Sequence, residues 1–532
     1  MKKIVCLFLT LVMIFLNGCI EKNTSLITNT NRKFIIYNID TLPENLSVFN
    51  GEDFRDYDLI YAIFDGLVKE DEYGRVVPAL AESYSVSKDE LTYTFKIRKN
   101  AQWSNGGKIT SKDFLNFFSN ILASKNKAEN VDLLFSIYGA EEYNKGEKNF
   151  DGVAIRCIDD DTLEIRLNSL NSSFLKILCE PVFFLRDVND KGDNWKTTFH
   201  NIRYSGPYVI ENISENNEIT LSKNSYYYEK EDIHSDKLIL TTNANDAEAL
   251  VNFENSKCDI LSNYPIGESY RLNHENSIIS FPSTRGCSLI FNFKKKSISS
   301  DLKLREAIAS AVSRQLIISD ALNGEGRSAG ELVPYNVSNG DGGNYNSKVY
   351  FNSYSNIKEA QSLLKLSAYD GKSKMKLIYL DNDLNKKIVS AITKSLKSCL
   401  NLNVEAVGYK GDELKNIMSK DNYDFYLTDY KGRYDDPEAY LETWYSKNIT
   451  QKNICGYSND EFDKLVLSSV GEIDRKKRLD MLLKAEEILM KDLPVIPLVF
   501  YNTTICRKQY INSINVTKHG SLILSQIIDS KK

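Results

Sequence analysis

One stretch decides the fold class of this chain: "IFDGLVKEDEYGRVVPALAESYSVSKDELTYTFKIRKNAQWSNGGKITSKDF" (Ile63–Phe114). Within it, "LTYTFKIR" (Leu91–Arg98) alternates apolar and polar residues, which is typical of a half-buried β-strand. The same alternation occurs in "DTLEIRL" (Asp161–Leu167). Apolar residues at helical spacing occur in "KEAQSLLKL" (Lys358–Leu366) and "DRKKRLDMLLKAEEILMKD" (Asp474–Asp492). This mixture of strands and helices predicts an α/β fold.

Length and charge restrict the class of protein. The chain has 532 residues. Because single hydrophobic cores stop growing at about 250–300 residues, we expect more than one lobe. No Pro- or Gly-rich linker separates such lobes, which indicates that the chain crosses between them more than once. The 67 basic and 72 acidic residues give a formal charge of −5, without the basic excess that collects phosphates, so nucleic acid is not an expected partner.

The N-terminus has the pattern of an export signal, "MKKIVCLFLTLVMIFLNGC" (Met1–Cys19). Two lysines precede an apolar run, Ile4–Leu16, which is shorter than the ~20 residues of a membrane span. The following "LNGC" resembles the lipobox of bacterial lipoproteins. We therefore predict a signal peptide at 1–18, a lipid on Cys19, a polar tether at 19–32, and an anchor on the extracellular face of the cytoplasmic membrane. An ordinary signal peptide with an incidental cysteine is the alternative.

Residues that usually carry catalysis or bind metals are sparse. The four histidines are scattered, without HExxH or another metal-binding spacing, and no GxxxxGK[ST] or GxGxxG phosphate loop occurs. We expect no metal, no cofactor and no enzymatic activity. The cysteines that follow Cys19 form no CxxC pair, and most are expected to be buried apolar residues: Cys157, Cys179, Cys258, Cys287, Cys399, Cys455 and Cys506.

The adjacent Asp435 and Asp436 are candidate hydrolase carboxylates. Neighbouring residues do not face each other on a helix or strand, so this pair does not flank one bond as glycosidase carboxylates do. We instead predict a helix start, with Asp436 as the N-cap, Pro437 as the first helical residue and Glu438 in the first turn.

Several segments together resemble the extracellular solute-binding proteins of ABC importers, specifically the oligopeptide- and dipeptide-binding family. The similarity runs in the family's order from about Lys33 to Cys506. The segments are Ile63–Phe114, "SGPYVI" (Ser205–Ile210), "LREAIASAVSRQLI" (Leu304–Ile317), "CGYSNDEFDKLV" (Cys455–Val466) and "AEEILMKDLPVIPLVF" (Ala485–Phe500).

This resemblance implies an α/β, two-lobed periplasmic-binding-protein-like fold of type II, in the large cluster C form, with an extra subdomain and a hinge between the lobes. The implied limits are 33–66, 181–285 and 500–532 for lobe I, 67–180 for the subdomain, and 286–499 for lobe II. A structural turn is expected at Trp103–Gly106. The implied partners are the transmembrane subunits of an ABC permease, and a monomer is expected.

The resemblance also points to a ligand contact in "YKGRYDDPEAYLETW" (Tyr430–Trp444). Peptide-binding relatives read W-G-x-D-Y-x-D-P here, and their first aspartate holds the peptide ammonium. In this chain Arg433 takes that place, and a guanidinium prefers carboxylate or phosphate. Three interpretations remain open. Arg433 binds an anionic ligand group, or Asp429 or Asp435 supplies a displaced amine anchor that Arg433 salt-bridges, or Arg433 lies outside the cleft.

Three further residues are candidates for the ligand site. Tyr430 and Tyr434 are expected to form walls of the cleft, with packing in the core as the alternative for each. Asn292, in "LIFNF", lies near the expected hinge and is a candidate for backbone contacts.

The sequence therefore predicts a lipid-anchored binding component of an ABC importer. It would capture an oligopeptide or related solute, with an anionic group if Arg433 is the anchor, by closure of its lobes. A receptor for a signalling peptide is the alternative on the same scaffold. A secreted hydrolase that uses Asp and Glu pairs is the alternative from another class.

Overall fold

The structure is a computed structural model that describes residues 34–46, 55–187, 192, 194–294, 298–447 and 455–530. The predicted signal peptide, Cys19 and the tether lie outside these residues. Among the helices in the described ranges, none is both long enough and apolar enough to cross a bilayer.

Helices and strands alternate along the whole described chain. The helices are α1 Asp56–Ile63, α2 Ser111–Leu122, α3 Ala140–Asn144, α4 Phe174–Leu178, α5 Trp195–Thr198, α6 Asp246–Glu254, α7 Ser269–His274, α8 Leu302–Ala311, α9 Arg314–Ala321, α10 Ile357–Leu366, α11 Asp383–Leu400, α12 Gly411–Ser419, α13 Glu438–Leu441, α14 Asp460–Val470 and α15 Arg475–Asp492. The strands are β1 Ile35–Asn38, β2 Val68–Glu70, β3 Val76–Pro78, β4 Ala81–Val86, β5 Thr92–Ile97, β6 Ile155–Asp159, β7 Thr162–Arg166, β8 Tyr208–Ile213, β9 Ile219–Lys223, β10 Lys237–Thr241, β11 Ile260–Leu261, β12 Ile278–Phe291, β13 Arg327–Ser328, β14 Met375–Leu380, β15 Val404–Tyr409, β16 Phe425–Tyr430, β17 Val495–Arg507, β18 Ile511–Ser513 and β19 Ile528–Asp529. The predicted α/β class is confirmed.

A large mixed sheet runs through the molecule in the order β15-β14-β16-β12-β17-β11-β1-β10-β9-β8, and β13 pairs with β17 beside it. Strand β1 is parallel to β10 and β11, and β14 is parallel to β15 and β16. The two central strands, β12 and β17, are antiparallel to each other and are the longest. A separate antiparallel sheet has the order β4-β5-β7-β6.

The three largest clusters of buried apolar side chains in the described residues define what we call lobe I, the subdomain and lobe II. Lobe I contains buried residues from Ile35–Phe64, Phe184–Ile260 and Ile505–Ile527. The cluster of the subdomain contains buried residues from Leu67–Leu185 together with Tyr434 and Ala439. Lobe II contains those from Cys287–Tyr501, with a smaller cluster from Ile290–Val495 beside it. The C-terminal residues thus return to lobe I. The exact limits of the three parts stay a prediction.

Both long strands pass from one lobe to the other. In β12, Phe281 packs against lobe I, whereas Leu289 lies in the core of lobe II. The pairing of β12 with β17 is irregular between Pro282 and Gly286. Irregular pairing bends a strand, which places the junction of the lobes at this point.

The subdomain leaves and re-enters lobe I at one place. Asp65 and Leu185 form an antiparallel bridge, in which the Leu185 amide donates to the Asp65 carbonyl at 2.8 Å. Within the subdomain, β5 alternates as predicted, with Phe95 buried and Lys96 exposed. The Trp103 ring is buried at the start of the predicted turn.

Local signals in the sequence set the ends of the predicted helices. The Asp474 side chain accepts the Lys477 amide at 3.1 Å and caps α15. Asn356 caps α10 in the same way through the Glu359 amide. Of the cysteines expected to be buried, Cys157 is exposed on the edge strand β6, and the others are buried.

Candidate ligand-binding site

A cavity of about 260 Å³ lies where lobe I, the subdomain and lobe II meet. Its walls come from α1, from two subdomain loops, from β12, from the loop after β16 and from the loop between β18 and β19. The lining residues are Tyr57, Tyr61, Glu129, Asn130, Glu180, Pro181, Arg285, Lys431, Gly432, Arg433, Thr517, His519 and Ser521. Segments far apart in the sequence therefore enclose one space.

The loop after β16 brings lobe II to this cavity. Strand β16 ends at Tyr430, whose hydroxyl donates to the Leu332 carbonyl at 3.0 Å. A Cβ at Gly432 would lie 2.6 Å from the Tyr440 ring, so the loop passes close to this ring only because residue 432 has no side chain. Lys431 to Arg433 thereby reach the cavity wall.

Arg433 lines the cavity, but its guanidinium binds two carboxylates of the protein. Nη1 donates to Asp132 Oδ2 at 2.7 Å, and Nε donates to Glu442 Oε1 at 2.8 Å. Burial disfavours the cation, yet Glu442 and Asp132 raise the pKa of Arg433 above its ordinary value. Neither partner is the Asp429 or Asp435 considered from the sequence. Contact of Arg433 with an anionic ligand group stays a prediction.

The remaining charges on the cavity wall are of both signs. The subdomain contributes Glu129 and Glu180, whereas Arg285 and Lys431 come from β12 and lobe II. His519 Nε2 lies 3.7 Å from Glu180 Oε1. Burial alone would lower the pKa of His519, but the nearby Glu180 carboxylate raises it. The cavity therefore offers separate positive and negative groups to a ligand.

Tyr434 and Asn292, two of the residues predicted to contact the ligand, are packed inside the protein. Tyr434 is buried in the cluster of the subdomain, and Asn292 is buried with its amide 3.2 Å from the Tyr423 carbonyl. Neither is among the lining residues of the cavity. For Tyr434, this position corresponds to the core-packing alternative. The roles predicted for both residues in ligand binding stay predictions.

Tyr430 and Asp429 lie on β16, next to the cavity loop. The Tyr430 ring packs edge-on against Tyr440 and Phe500, with centroids 6.3 and 6.4 Å away. Asp429 Oδ1 accepts the Tyr501 hydroxyl at 2.7 Å. Ligand contacts for these two residues also stay predictions.

Asp435 is buried at the junction of all three parts. Its Oδ1 accepts the Ser338 amide at 3.0 Å. Its Oδ2 lies 3.2 Å from Lys518 Nζ of lobe I and 3.4 Å from Lys176 Nζ of the subdomain. With two lysines beside it, Asp435 joins lobe I, the subdomain and lobe II in this arrangement; its use as an amine anchor stays a prediction.

The predicted helix start is present, with a one-residue difference. Helix α13 begins at Glu438, with Pro437 before it, so Pro437 is not the first helical residue. The Asp436 side chain makes the predicted capping bond, accepting the Glu438 amide at 2.9 Å. Both Asp436 and Glu438 also bind Arg478, so this carboxylate pair is part of a buried ion cluster.

Most of the cavity wall was missed by sequence reasoning. Tyr57, Glu129, Glu180, Arg285 and His519 have no motif of their own, and their common position arises only when lobe I, the subdomain and lobe II come together. A sequence signal was available for the loop after β16, because the resemblance placed a ligand contact there.

Comparison with known proteins gives the family. Residues 75–452, more than half of the chain, match the model described as "Bacterial extracellular solute-binding proteins, family 5 Middle". The dipeptide-binding protein DppE of Bacillus subtilis is 27% identical over 460 residues, covering 85% of this chain and 84% of that protein. The oligopeptide-binding protein OppA of the same organism is 27% identical over 499 residues, covering 91% and 90%.

A solved structure has the same fold over almost the full length. The periplasmic oligopeptide-binding protein of an ABC transporter from Borrelia burgdorferi superposes with a TM-score of 0.76 at 26% identity, covering 93% of this chain and 99% of that one. The resemblance inferred from the sequence, and the two-lobed fold class that it implied, are therefore confirmed. This chain belongs to the family 5 bacterial extracellular solute-binding proteins, the group that includes oligopeptide- and dipeptide-binding components of ABC importers.

Proposed function

We propose that this protein captures a short peptide or a related solute in the cavity between its lobes and delivers it to the permease of an ABC importer. The observation that carries this proposal is the partly enclosed cavity, lined by charged and aromatic side chains from all three parts of the chain. Its volume of about 260 Å³ lies just below the ~300–1,000 Å³ typical of small-molecule sites. This size favours a ligand of a few residues over a long peptide.

The charges of the cavity support a zwitterionic ligand. Arg433 is compensated by two protein carboxylates. The wall also carries Glu129 and Glu180 on the subdomain side and Arg285 and Lys431 on the other. A ligand with one ammonium and one carboxylate group complements this distribution, because each charge meets its opposite. A short peptide with free ends is such a ligand.

Capture would proceed by closure of the lobes around the junction in β12 and β17. Ligand contacts to both lobes stabilise the closed state, and the permease then receives the loaded protein. We further propose that Cys19 carries a lipid that holds this monomeric protein on the extracellular face of the membrane. The protein would return its ligand chemically unchanged, in contrast to a hydrolase.

Native mass spectrometry of the chain without residues 1–19, purified from cells, tests the proposal. We expect an added mass that is released on denaturation and is a short peptide or a similar zwitterion. Once the bound ligand has been removed, synthetic di- and tripeptides should stabilise the protein in a thermal-shift assay. A ligand that binds the folded state raises the melting temperature.

Three outcomes would contradict parts of this proposal. An acidic ligand without an amine would contradict the zwitterion and favour Arg433 as the anchor. Turnover of peptides by the purified protein would favour a hydrolase. If the protein is purified without a ligand and none of the synthetic di- and tripeptides stabilises it, the proposed capture of a peptide is contradicted.

A further inference from the structure

We propose that Arg433 and Asp132 form a latch across the cleft, which stabilises the closed lobes whatever the charge of the ligand. This inference rests on the proposed function and deepens it. Arg433 would then be a positioning residue that acts through the closed state. In this role Arg433 stabilises the closed lobes, whereas the ligand anchor predicted from the sequence would bind the ligand directly.

The first support is the contact itself. Arg433 belongs to the loop after β16 in lobe II, and Asp132 belongs to the subdomain, 301 residues earlier in the chain. Their charged atoms lie 2.7 Å apart, and the side chains are 16% and 25% exposed. A short, charge-assisted hydrogen bond that is mostly shielded from water is stronger than an ordinary surface ion pair. This bond joins two parts that must separate when the cleft opens.

The second support is the way in which Arg433 is held. Within lobe II, Glu442 Oε1 lies 2.8 Å from Nε and 2.7 Å from Nη2 of Arg433. These two contacts fix one edge of the planar guanidinium and leave Nη1 directed at Asp132. Because the fork is oriented before the lobes meet, less side-chain entropy is lost when the latch forms.

The third support comes from neighbouring contacts between the subdomain and lobe II. The Ser172 hydroxyl contacts the carbonyls of Val470 and Glu472 at 3.0 and 2.7 Å. Nη2 of Arg478 donates to the Ser173 hydroxyl at 2.8 Å. The closed arrangement is thus held by direct protein contacts along this interface. Among these groups, Arg433 also lines the cavity, so the latch closes at the edge of the ligand site.

A ligand carboxylate that bound Arg433 would have to compete with Asp132 and Glu442. The latch instead raises the population of the closed state, and the apparent affinity of any ligand scales with that population. Loss of the latch should therefore weaken the forms of a ligand with and without a carboxylate by the same factor. Loss of a ligand anchor should weaken only the form that carries the anchored group.

Asp132→Asn tests this distinction, because Asp132 is not among the lining residues of the cavity. The probes are trialanine and trialanine amide, measured by calorimetry. We expect Asp132→Asn to weaken both by the same factor of about 5–10. Arg433→Gln should do the same, and the double variant should be no weaker than either single one, since the latch is lost only once. Glu141→Gln, which removes an exposed subdomain carboxylate paired with Lys145, is the matched control and should change neither affinity.

Small-angle scattering supplies a second measurement that needs no ligand. The ligand-free Asp132→Asn variant should have a larger radius of gyration than the wild type, because its cleft is open more often. The latch is refuted if Asp132→Asn leaves both affinities unchanged, or if Arg433→Gln weakens trialanine much more than its amide. If neither probe binds the wild type, the proposed function fails for such peptides, and equal radii of gyration would then also refute the latch.

Discussion

Arg478 binds two buried carboxylates, and its removal should destabilise the protein strongly. Nη1 and Nη2 lie 2.9 and 2.8 Å from the two oxygens of Asp436, and Nη2 lies 2.6 Å from Glu438 Oε2. The Arg478 side chain is 8% exposed, and both carboxylates are 6% exposed. Arg478→Met keeps the aliphatic stem but leaves two negative charges buried without their cation. Breaking such a cluster costs about 3–5 kcal/mol, a large part of the ~5–15 kcal/mol that stabilises a typical protein.

The pH dependence of this variant follows from Glu438. Burial raises the pKa of Glu438 above 4.5, while Arg478 opposes this shift; without Arg478 the pKa rises further. A carboxyl group whose pKa is higher in the folded state binds more protons there, so the folded state gains stability as the pH falls. Arg478→Met should therefore recover part of its lost stability as the pH falls and Glu438 becomes neutral.

Urea unfolding followed by circular dichroism measures both effects. Because a chain with several lobes can unfold in more than one step, the comparison uses the transition that Arg478→Met shifts most. Lys145→Met, which breaks an exposed pair with Glu141, is the control and should leave the midpoints unchanged. A loss below about 1 kcal/mol for Arg478→Met, or a loss that does not shrink at low pH, would refute the reasoning.

Three other predictions concern separate parts of the chain. Glu486 is fully buried, accepts two backbone amides at 2.9 and 3.0 Å, and has its pKa raised to about 7 by burial. The wild type should therefore lose stability as the pH rises from about 5 to about 7.5. In thermal melts, Glu486→Gln should make the melting temperature less dependent on pH. If the melting temperatures of the variant and the wild type change with pH in parallel, this prediction is wrong. Gly206→Ala should lower the free energy of unfolding by about 1–3 kcal/mol or prevent folding, because the new Cβ would lie 2.5 Å from the backbone of Ile63. An unchanged melting temperature would contradict this steric argument. Cys19→Ser in the full-length chain should move the protein from the membrane fraction to the soluble fraction of a bacterial host, and continued membrane retention would argue against a lipid on Cys19.

Local patterns in the sequence were sufficient to predict helices and strands, but not to predict which residues line the ligand site. The alternation in Leu91–Arg98 and the helical spacing in Asp474–Asp492 depend on residues a few positions apart, so both could be predicted. The partner of Arg433 could not be predicted in this way, because Asp132 is 301 residues away and is brought close by the packing of the subdomain against lobe II. The same holds for the charges of the cavity, which no single segment carries.

The bridge between Asp65 and Leu185 has a consequence for how this protein could change over evolutionary time. Since the subdomain starts and ends at neighbouring positions, it can be added or removed in one genetic event without redirecting any strand of the large sheet. Such an event would take Glu129, Glu180 and Asp132 with it, and with them the negative wall of the cavity and half of the latch. The same inserted segment would therefore carry both the choice of ligand and the stability of the closed state as one transferable unit.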